Sequence, residues 1–399
     1  MIWNKYEVED RKLQGISVLA IVMMLISLYM QSKLVLFLGV LFLALAVANQ
    51  LYLKKAGERL YVDYSHDKAR FFIDEKGKWS FIIRNDGYPI LKAELRVFFD
   101  YFVAPESEDS SSSRGLHEIS IPISIFTGQT KQISIPFTAN TRGIAKIRRL
   151  EFQIPSFLGF GETALESKLP LTLQAIIYPQ PIPVKGLAEQ LSKLQGANIV
   201  PYSVYENRLG PLGTRDYVAT DSFNAIHWKA SARKQSLQTK QYEKISETGW
   251  TVALNISDGH SINGNLEGLI SSITEFAYYA FHKQLSYAMC INVRSAGNTP
   301  FLYLPKGDGG EHLQKVLETL ASINRLNTSI PYHQMLSFYS RHLESQPFFI
   351  HAGIRTQEGN DQLLFIQSQK GVRLFELKLE EENGVLTKLE VQNESRKLL

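Results

Sequence analysis

The sequence predicts a multidomain α+β chain: a transmembrane helical hairpin, then a β-sandwich, then a doubly wound α/β domain. Three observations carry that order. Two runs of twenty residues, Leu13 to Ser32 and Leu34 to Leu53, hold no charge, and only Lys33 separates them. Between about Leu60 and Pro179 apolar residues recur with period two, and beyond Trp250 short apolar runs alternate with stretches of helical period. The divisions implied are 1–55, 56–180, 181–250 and 251–399. About 340 residues after the helices suit two globular domains rather than one.

Each apolar run is long enough, as a helix rising about 1.5 Å per residue, to cross a hydrocarbon core of about 30 Å. A cleaved leader fits poorly, because the first run is too long and leaves through Leu28-Tyr29-Met30-Gln31-Ser32, with no small-residue cleavage pattern. Lys5, Arg11 and Lys12 precede the first run, Lys54, Lys55 and Arg59 follow the second, and the turn between them holds only Lys33. The positive-inside rule then places both ends, and everything after residue 56, in the cytoplasm.

In the β-region Ile119, Ile121, Ile123 and Ile125 alternate with Ser120, Pro122 and Ser124, and Ile133, Ile135 and Phe137 alternate with Ser134 and Pro136. Trp79, Phe81 and Ile83 follow the same rule. One greasy face per strand is the mark of antiparallel sheets with one side on a core. Turn signals at Asn85-Asp86-Gly87 and Thr127-Gly128-Gln129 divide the region into seven or eight strands, as in a sandwich. Pro105 to Gly115, with four consecutive serines, reads as an exposed hairpin loop.

Trp250–Ile256 and Tyr287–Val293 read as buried strands. Leu266–Leu285 and Glu311–Ile323 read as amphipathic helices, and Gln346–His351 and Val372–Leu377 as further strands. Alternation of this kind implies parallel pairing in an open sheet with helices on both faces.

The segment between the halves carries a dense pattern: Gly210-Pro-Leu-Gly213-Thr-Arg215-Asp-Tyr217, Asp221, Ile226-His227-Trp228-Lys229-Ala230-Ser231-Ala232-Arg233, then Leu237, Lys240 and Glu243. A helix capped by Thr220, Asp221 or Ser222 would run to about Arg233, with Lys229 and Arg233 on one face. Two readings stand. In one, six Lys/Arg against two Asp between Asn207 and Lys240 form a basic, aromatic-edged docking surface for an acidic segment or a phosphate. In the other, the segment is an internal lock, with Asp221 and Glu243 pairing to Arg215 or Arg233 and Trp228 packed under the sheet. His227, beside a tryptophan on a helix, reads as a satisfied core histidine.

This pattern resembles the bacterial domain-of-unknown-function family fifty-eight, recognised by its arginine–x–tyrosine step, its aspartate, its tryptophan–lysine–alanine–x–alanine–arginine run and its closing glutamate. The layout agrees with that family: two membrane helices, a β-domain, the signature and a von Willebrand factor A-like α/β half. The resemblance implies a membrane-tethered adaptor working with a MoxR-type AAA+ ATPase in envelope or protein-complex maturation. Related von Willebrand A domains bind a divalent metal through an aspartate–x–serine–x–serine loop. Here the corresponding residues are Asn255-Ile-Ser257-Asp258-Gly259, so the first carboxylate is gone and Asp258 is out of register. No cofactor is expected.

Residues 61–399 hold 36 Lys/Arg and 35 Asp/Glu, which gives no nucleic-acid footprint. Gly159-Phe-Gly161-Glu-Thr-Ala164 matches a loose dinucleotide pattern, but Pro170 and a β-type run follow where a helix is required. No phosphate-binding loop, zinc-helix or nucleophile-elbow pattern occurs. The lone cysteine, Cys290, sits in an expected buried strand and reads as an inert thiol. No catalytic residue is assigned. The alternative to an adaptor is a membrane-associated hydrolase acting on an envelope component through His227, Asp221 and Glu243.

Overall fold

A computed structural model describes residues 3–8, 11–64, 68–106, 110–113, 115–156, 161–168, 171–195, 206–244, 249–259 and 261–389. The chain divides into two compact units, Met1–Gln180 and Pro181–Leu399.

The first unit contains β1 (Trp3–Val8), α1 (Arg11–Met30), α2 (Lys33–Lys55), β2 (Leu60–Tyr64), β3 (Lys68–Phe71), β4 (Lys76–Asn85), β5 (Ile90–Asp100), β6 (Val103–Pro105), β7 (Ser110–Ser113), β8 (Leu116–Ile125), β9 (Gln129–Ala139), β10 (Gly143–Pro155), β11 (Glu162–Ser167) and β12 (Gln174–Ile177). Strands β1-β11-β10-β5-β8-β7 lie side by side, with β12 and β3 continuing beyond β10. Strands β2-β4-β9-β6 form a second sheet. The alternation predicted for Trp79, Phe81 and Ile83 and for Ile133, Ile135 and Phe137 turns those side chains into one core, shared with Leu95, Val97, Phe99 and Ile123 of the first sheet. The Pro105–Gly115 loop is partly strand: β7 pairs with β8, while residues 107–109 and 114 lie outside the described residues. Gly159 of the dinucleotide-like run also lies outside them, and β11 follows Gly161 as a strand.

Helices α1 and α2 meet at small residues. Ala20 and Ala46 are buried, and a Cβ on Gly39 would stand 2.8 Å from Met24 Cγ and 3.2 Å from the Ala20 carbonyl. Close backbone approach of this kind needs small residues at the contact. Their outer faces are the reverse: Leu25, Leu28, Leu34, Phe37 and Val40 are all exposed. Helix α2 is long and apolar enough to cross a membrane, with a mean hydropathy of 2.4 over an 18-residue window of which 17% is buried. A core helix of a soluble protein would be mostly buried. Leaving each such side chain in water forgoes roughly 1.5–3 kcal/mol. The described apolar stretch of α1, Gly15–Met30, is shorter than one span by itself.

One element was not foreseen. Residues 3–8 form a strand of the sandwich and not only a charged flank of the membrane segment: β1 pairs antiparallel with β11, Trp3 opposite Ser167 and Val8 opposite Glu162. The Trp3 indole is buried, meets Phe152 edge-on at 5.2 Å and donates to the Leu60 carbonyl at 2.7 Å. Lys5 Nζ donates to the Lys54 and Ala56 carbonyls at 2.5 and 3.0 Å, and Thr163 Oγ1 donates to the Leu53 carbonyl at 3.1 Å. These bonds satisfy carbonyls that the end of a helix otherwise leaves open. Both ends of the helix pair are thereby fastened to one sheet.

The second unit contains β13 (Val184–Lys185), α3 (Leu187–Gln195), β14 (Glu206–Asp216), α4 (Trp228–Lys234), β15 (Gln238–Lys244), β16 (Gly249–Leu254), α5 (Leu266–His282), β17 (Ser286–Arg294), β18 (Phe301–Gly307), α6 (Gly309–Ser322), α7 (Tyr332–His342), β19 (Phe348–Ala352), α8 (Gln357–Lys370), β20 (Arg373–Glu380) and β21 (Asn383–Lys388). The main sheet runs β13-β21-β20-β19-β16-β17-β18. β20, β19, β16 and β17 are mutually parallel, as the alternating pattern predicted, and β18 and β21 add antiparallel strands. Alternate residues face opposite layers. Val252, Leu254, Met289 and Ile350 pack with α3, α5 and α6, whereas Ala253, Cys290, Phe349 and Leu374 pack with α7 and α8. The connecting segment 181–250 is therefore partly core: β13 joins β21, and Leu187 and Leu191 of α3 are buried in the first of those layers. Its remainder, β14-α4-β15, is a two-stranded hairpin of its own.

Candidate functional site

The signature residues occupy the β14–β15 hairpin and the short helix inside it. β14 carries Gly213 and Arg215, and β15 carries Lys240 and Glu243, with Arg215 opposite Thr239. Arg215 grips Asp221 with both arms, Nη1 to Oδ2 at 2.7 Å and Nη2 to Oδ1 at 2.5 Å. The same carboxylate accepts from the Val218 amide at 3.1 Å and from Thr239 Oγ1 at 2.9 Å, while the Tyr217 hydroxyl donates to the Asp221 carbonyl at 3.2 Å. The Arg215 hydrogen bonds, with help from Val218 and Thr239, hold the Asp221 carboxyl down at about 2. Between Arg215 and Asp221 the lock reading therefore describes the geometry.

The helix cap and the Trp228 packing differ from expectation, and the Glu243 pairing falls on a side chain outside the described residues. The helix is shorter than expected and starts later: a 3-10 turn at Phe223–Ala225 precedes α4, and none of Thr220, Asp221 or Ser222 caps α4. His227 does so, its Nδ1 accepting from the Ala230 amide at 3.1 Å. It is neither a core histidine nor placed to serve as a base through Nδ1. Ser231 Oγ donates to the His227 carbonyl and accepts from the buried Gln238 amide at 2.9 Å, which ties α4 to β15. Trp228 does not pack under a sheet. It is 59% exposed and stands edge-on to Phe223, itself 69% exposed, at 5.5 Å between ring centroids. Val218 and Leu237 are also exposed. Lys229 and Arg233 are exposed on α4, and Lys240 is half-buried. The Glu243 side chain lies outside the described residues.

Phe223 was missed by the sequence reading. It sits between Ser222 and Asn224 with no periodic pattern, and its ring meets Trp228 edge-on.

The Asn255–Gly259 loop, compared above with a metal-binding loop, falls at the carboxyl ends of β16 and β19. There the chain order reverses across the parallel sheet, which is the usual place for ligands in such folds. Its polar atoms are spent internally. Asn292 Nδ2 donates to Asn255 Oδ1 at 2.8 Å, Asn292 Oδ1 accepts from the Ile256 amide at 2.8 Å, and Asn255 Nδ2 donates to the Ile354 carbonyl at 2.8 Å. Ser257 Oγ donates to the Ser261 carbonyl, and Asp258 accepts from the Ser261 amide and hydroxyl at 2.6 and 2.8 Å. Gly353 (φ 114°) closes the crevice, since any Cβ there would strike the Asn255 carbonyl. Among the described residues no group of three His, Cys, Asp or Glu is placed to hold a metal. Nearby, His351 is buried between the Tyr332 hydroxyl at 2.6 Å and the Gly353 carbonyl at 3.1 Å, and burial pushes its imidazole down to about 3. Burial likewise pushes the Cys290 thiol up, out of the reactive range.

No family model and no curated protein matches this chain. Solved structures resemble parts of it. A protein named as membrane anchored, from Corynebacterium diphtheriae, is 13% identical over 32% of this chain and 36% of its own, with a TM-score of 0.22. The CARDB domain of a Pyrococcus furiosus protein, in complex with di-metal ions, is 10% identical over 30% of this chain and 91% of its own, with a TM-score of 0.19. A non-cellulosomal cohesin from Archaeoglobus fulgidus is 10% identical over 30% of this chain and 89% of its own, with a TM-score of 0.20. This chain thus spans about a third of the Corynebacterium protein.

Proposed function

We propose that this chain is a membrane-tethered adaptor of the domain-of-unknown-function family fifty-eight kind, whose β14–β15 hairpin docks a protein partner. In this reading α1 and α2 both cross the bilayer, the second unit is a von Willebrand A-like domain, and residues 56–399 work on the cytoplasmic side. The clasp of β1 and Lys5 on the α2 exit supports the shared side of both ends, because one sheet holds them. The observation that carries the adaptor role is the outward Phe223–Trp228 pair flanked by Lys229 and Arg233. Exposed aromatics beside cations are what interface centres are built from. The Arg215–Asp221 grip and the His227 cap stiffen the loop that presents them. The partner proposed is a MoxR-type AAA+ ATPase, on the resemblance of the signature.

The test uses full-length protein in mild detergent against such an ATPase, with and without nucleotide. Trp228→Ala and Phe223→Ala, each removing an exposed ring, should weaken binding by at least about tenfold, as loss of an interface centre does. Melting temperature should stay unchanged. Undiminished binding by the double variant removes the docking face. No binding by the wild type removes the partner.

A further inference from the structure

A cavity of about 500 Å³ opens where α2 ends, lined by Lys55, Glu58, Arg59, Asp86, Tyr88 and Thr127. Three segments build it: the exit turn of α2, the β4–β5 turn and the β8–β9 turn. The last apolar residue of α2 is Leu53, so with α2 in a bilayer Lys54 and Lys55 stand at headgroup depth. The two turns carry exposed aromatics, Tyr88 at 47% in the lining itself and Phe126 at 57% next to Thr127 in the chain, of the kind that settles at a membrane–water interface. Lys55 Nζ lies 5.6 Å from the Tyr88 ring centroid. The charge of the lining is mixed. Lys55 and Arg59 offer N–H donors, Glu58 offers a carboxylate, and Asp86 shares its own carboxylate with Arg84 at 3.2 Å. Lys5 holds the Lys54 and Ala56 carbonyls, while the Lys55 side chain lines the cavity.

An anionic headgroup would meet two carboxylates here. A phosphate carrying a primary ammonium meets both signs. We propose that this cavity is a headgroup site for phosphatidylethanolamine, with Lys55 and Arg59 on the phosphate and Glu58 and Asp86 on the ammonium. The proposal rests on the reading of α2 as a membrane span.

Full-length protein is reconstituted in nanodiscs holding phosphatidylethanolamine, phosphatidylglycerol and phosphatidylcholine in equal parts, and retained lipid is counted by native mass spectrometry after release. Wild type should keep phosphatidylethanolamine over each of the others by about tenfold, the worth of one charge-assisted hydrogen bond. Lys55→Ala with Arg59→Ala should abolish retention. Glu58→Gln with Asp86→Asn should invert the preference toward phosphatidylglycerol while retention persists, and this arm guards against a variant that merely misfolds. Retention of no lipid, or equal retention of all three, overturns the proposal. Carbonate extraction of the same membranes separates the two ideas. A chain released by carbonate ends the span and the site together, whereas a resistant chain without lipid preference ends the site alone.

Discussion

Asp221 lies on an open surface hairpin, yet it accepts hydrogen bonds from Arg215, Val218 and Thr239. All of these favour the charged form, so its folded pKa falls below the unfolded value. The folded state consequently binds fewer protons between the two values, and the hairpin's gain is complete above the ordinary carboxylate range of about 4 and lost as pH falls through about 2. A carboxyl carbon titration of the purified protein should place the Asp221 midpoint close to 2, and Arg215→Ala should return it toward about 4. A wild-type midpoint already near 4 would mean that the grip is not kept in solution. This pairing was half legible in the sequence: an arginine partner for Asp221 was expected, but Arg215 and Arg233 were equal candidates, because the letters do not say which guanidinium the turn brings round. The outward turn of Trp228 was not. A tryptophan next to a histidine carries the same letters whether it is buried or presented, and nothing in the pattern announces that α4 begins at Trp228 with His227 as its cap.

Elements with a clear period were readable: β4, β9, β16, β17, α5 and α6 lie within a few residues of where alternation or helical spacing put them. Those without one were not. β1 has a single buried residue among those described, Trp3, so no alternation announces it. β18 and β21 are edge-ward antiparallel strands in a sheet whose pattern reads as parallel, and α8 has a weak apolar face. The crevice between β16 and β19 also depends on an element-scale fit that no motif encodes. Gly353 must hold a left-handed backbone where a side chain would drive into the Asn255 carbonyl. Gly353→Ala should therefore cost roughly 1–3 kcal/mol in the unfolding of the second unit, read by denaturant titration. The expected sign opposes the small stabilisation that glycine-to-alanine changes bring where the backbone is relaxed. A neutral or stabilising outcome would show that the Asn255–Asn292 ladder can shift to admit a methyl group.

At the scale of the whole molecule, the first unit does not divide at residue 55. The helix pair leaves one sheet after β1 and enters the other at β2, and β1 stays behind as an edge strand covering β11. A chain begun at residue 56, the boundary that composition suggests, removes the greasy helices. It also strips Trp3 from its place against Phe152 and leaves the Leu60 carbonyl without the indole donor. Loss of a buried tryptophan alone costs about 3–5 kcal/mol, and an uncovered edge strand invites pairing with other chains. Such a fragment should melt well below the full-length protein and aggregate on storage. Because Lys5 reaches the Lys54 and Ala56 carbonyls, the two chain ends stand close enough for a short link. Joining residues 1–8 to residue 58 through a few glycines should restore both the melting temperature and the monomer, measured by calorimetry and light scattering. If the bare fragment from residue 56 is as stable and as monomeric as the linked one, then β1 contributes nothing to the sheet. The tether would then be a separable module, and the common side assigned to the two helix ends would lose its structural support.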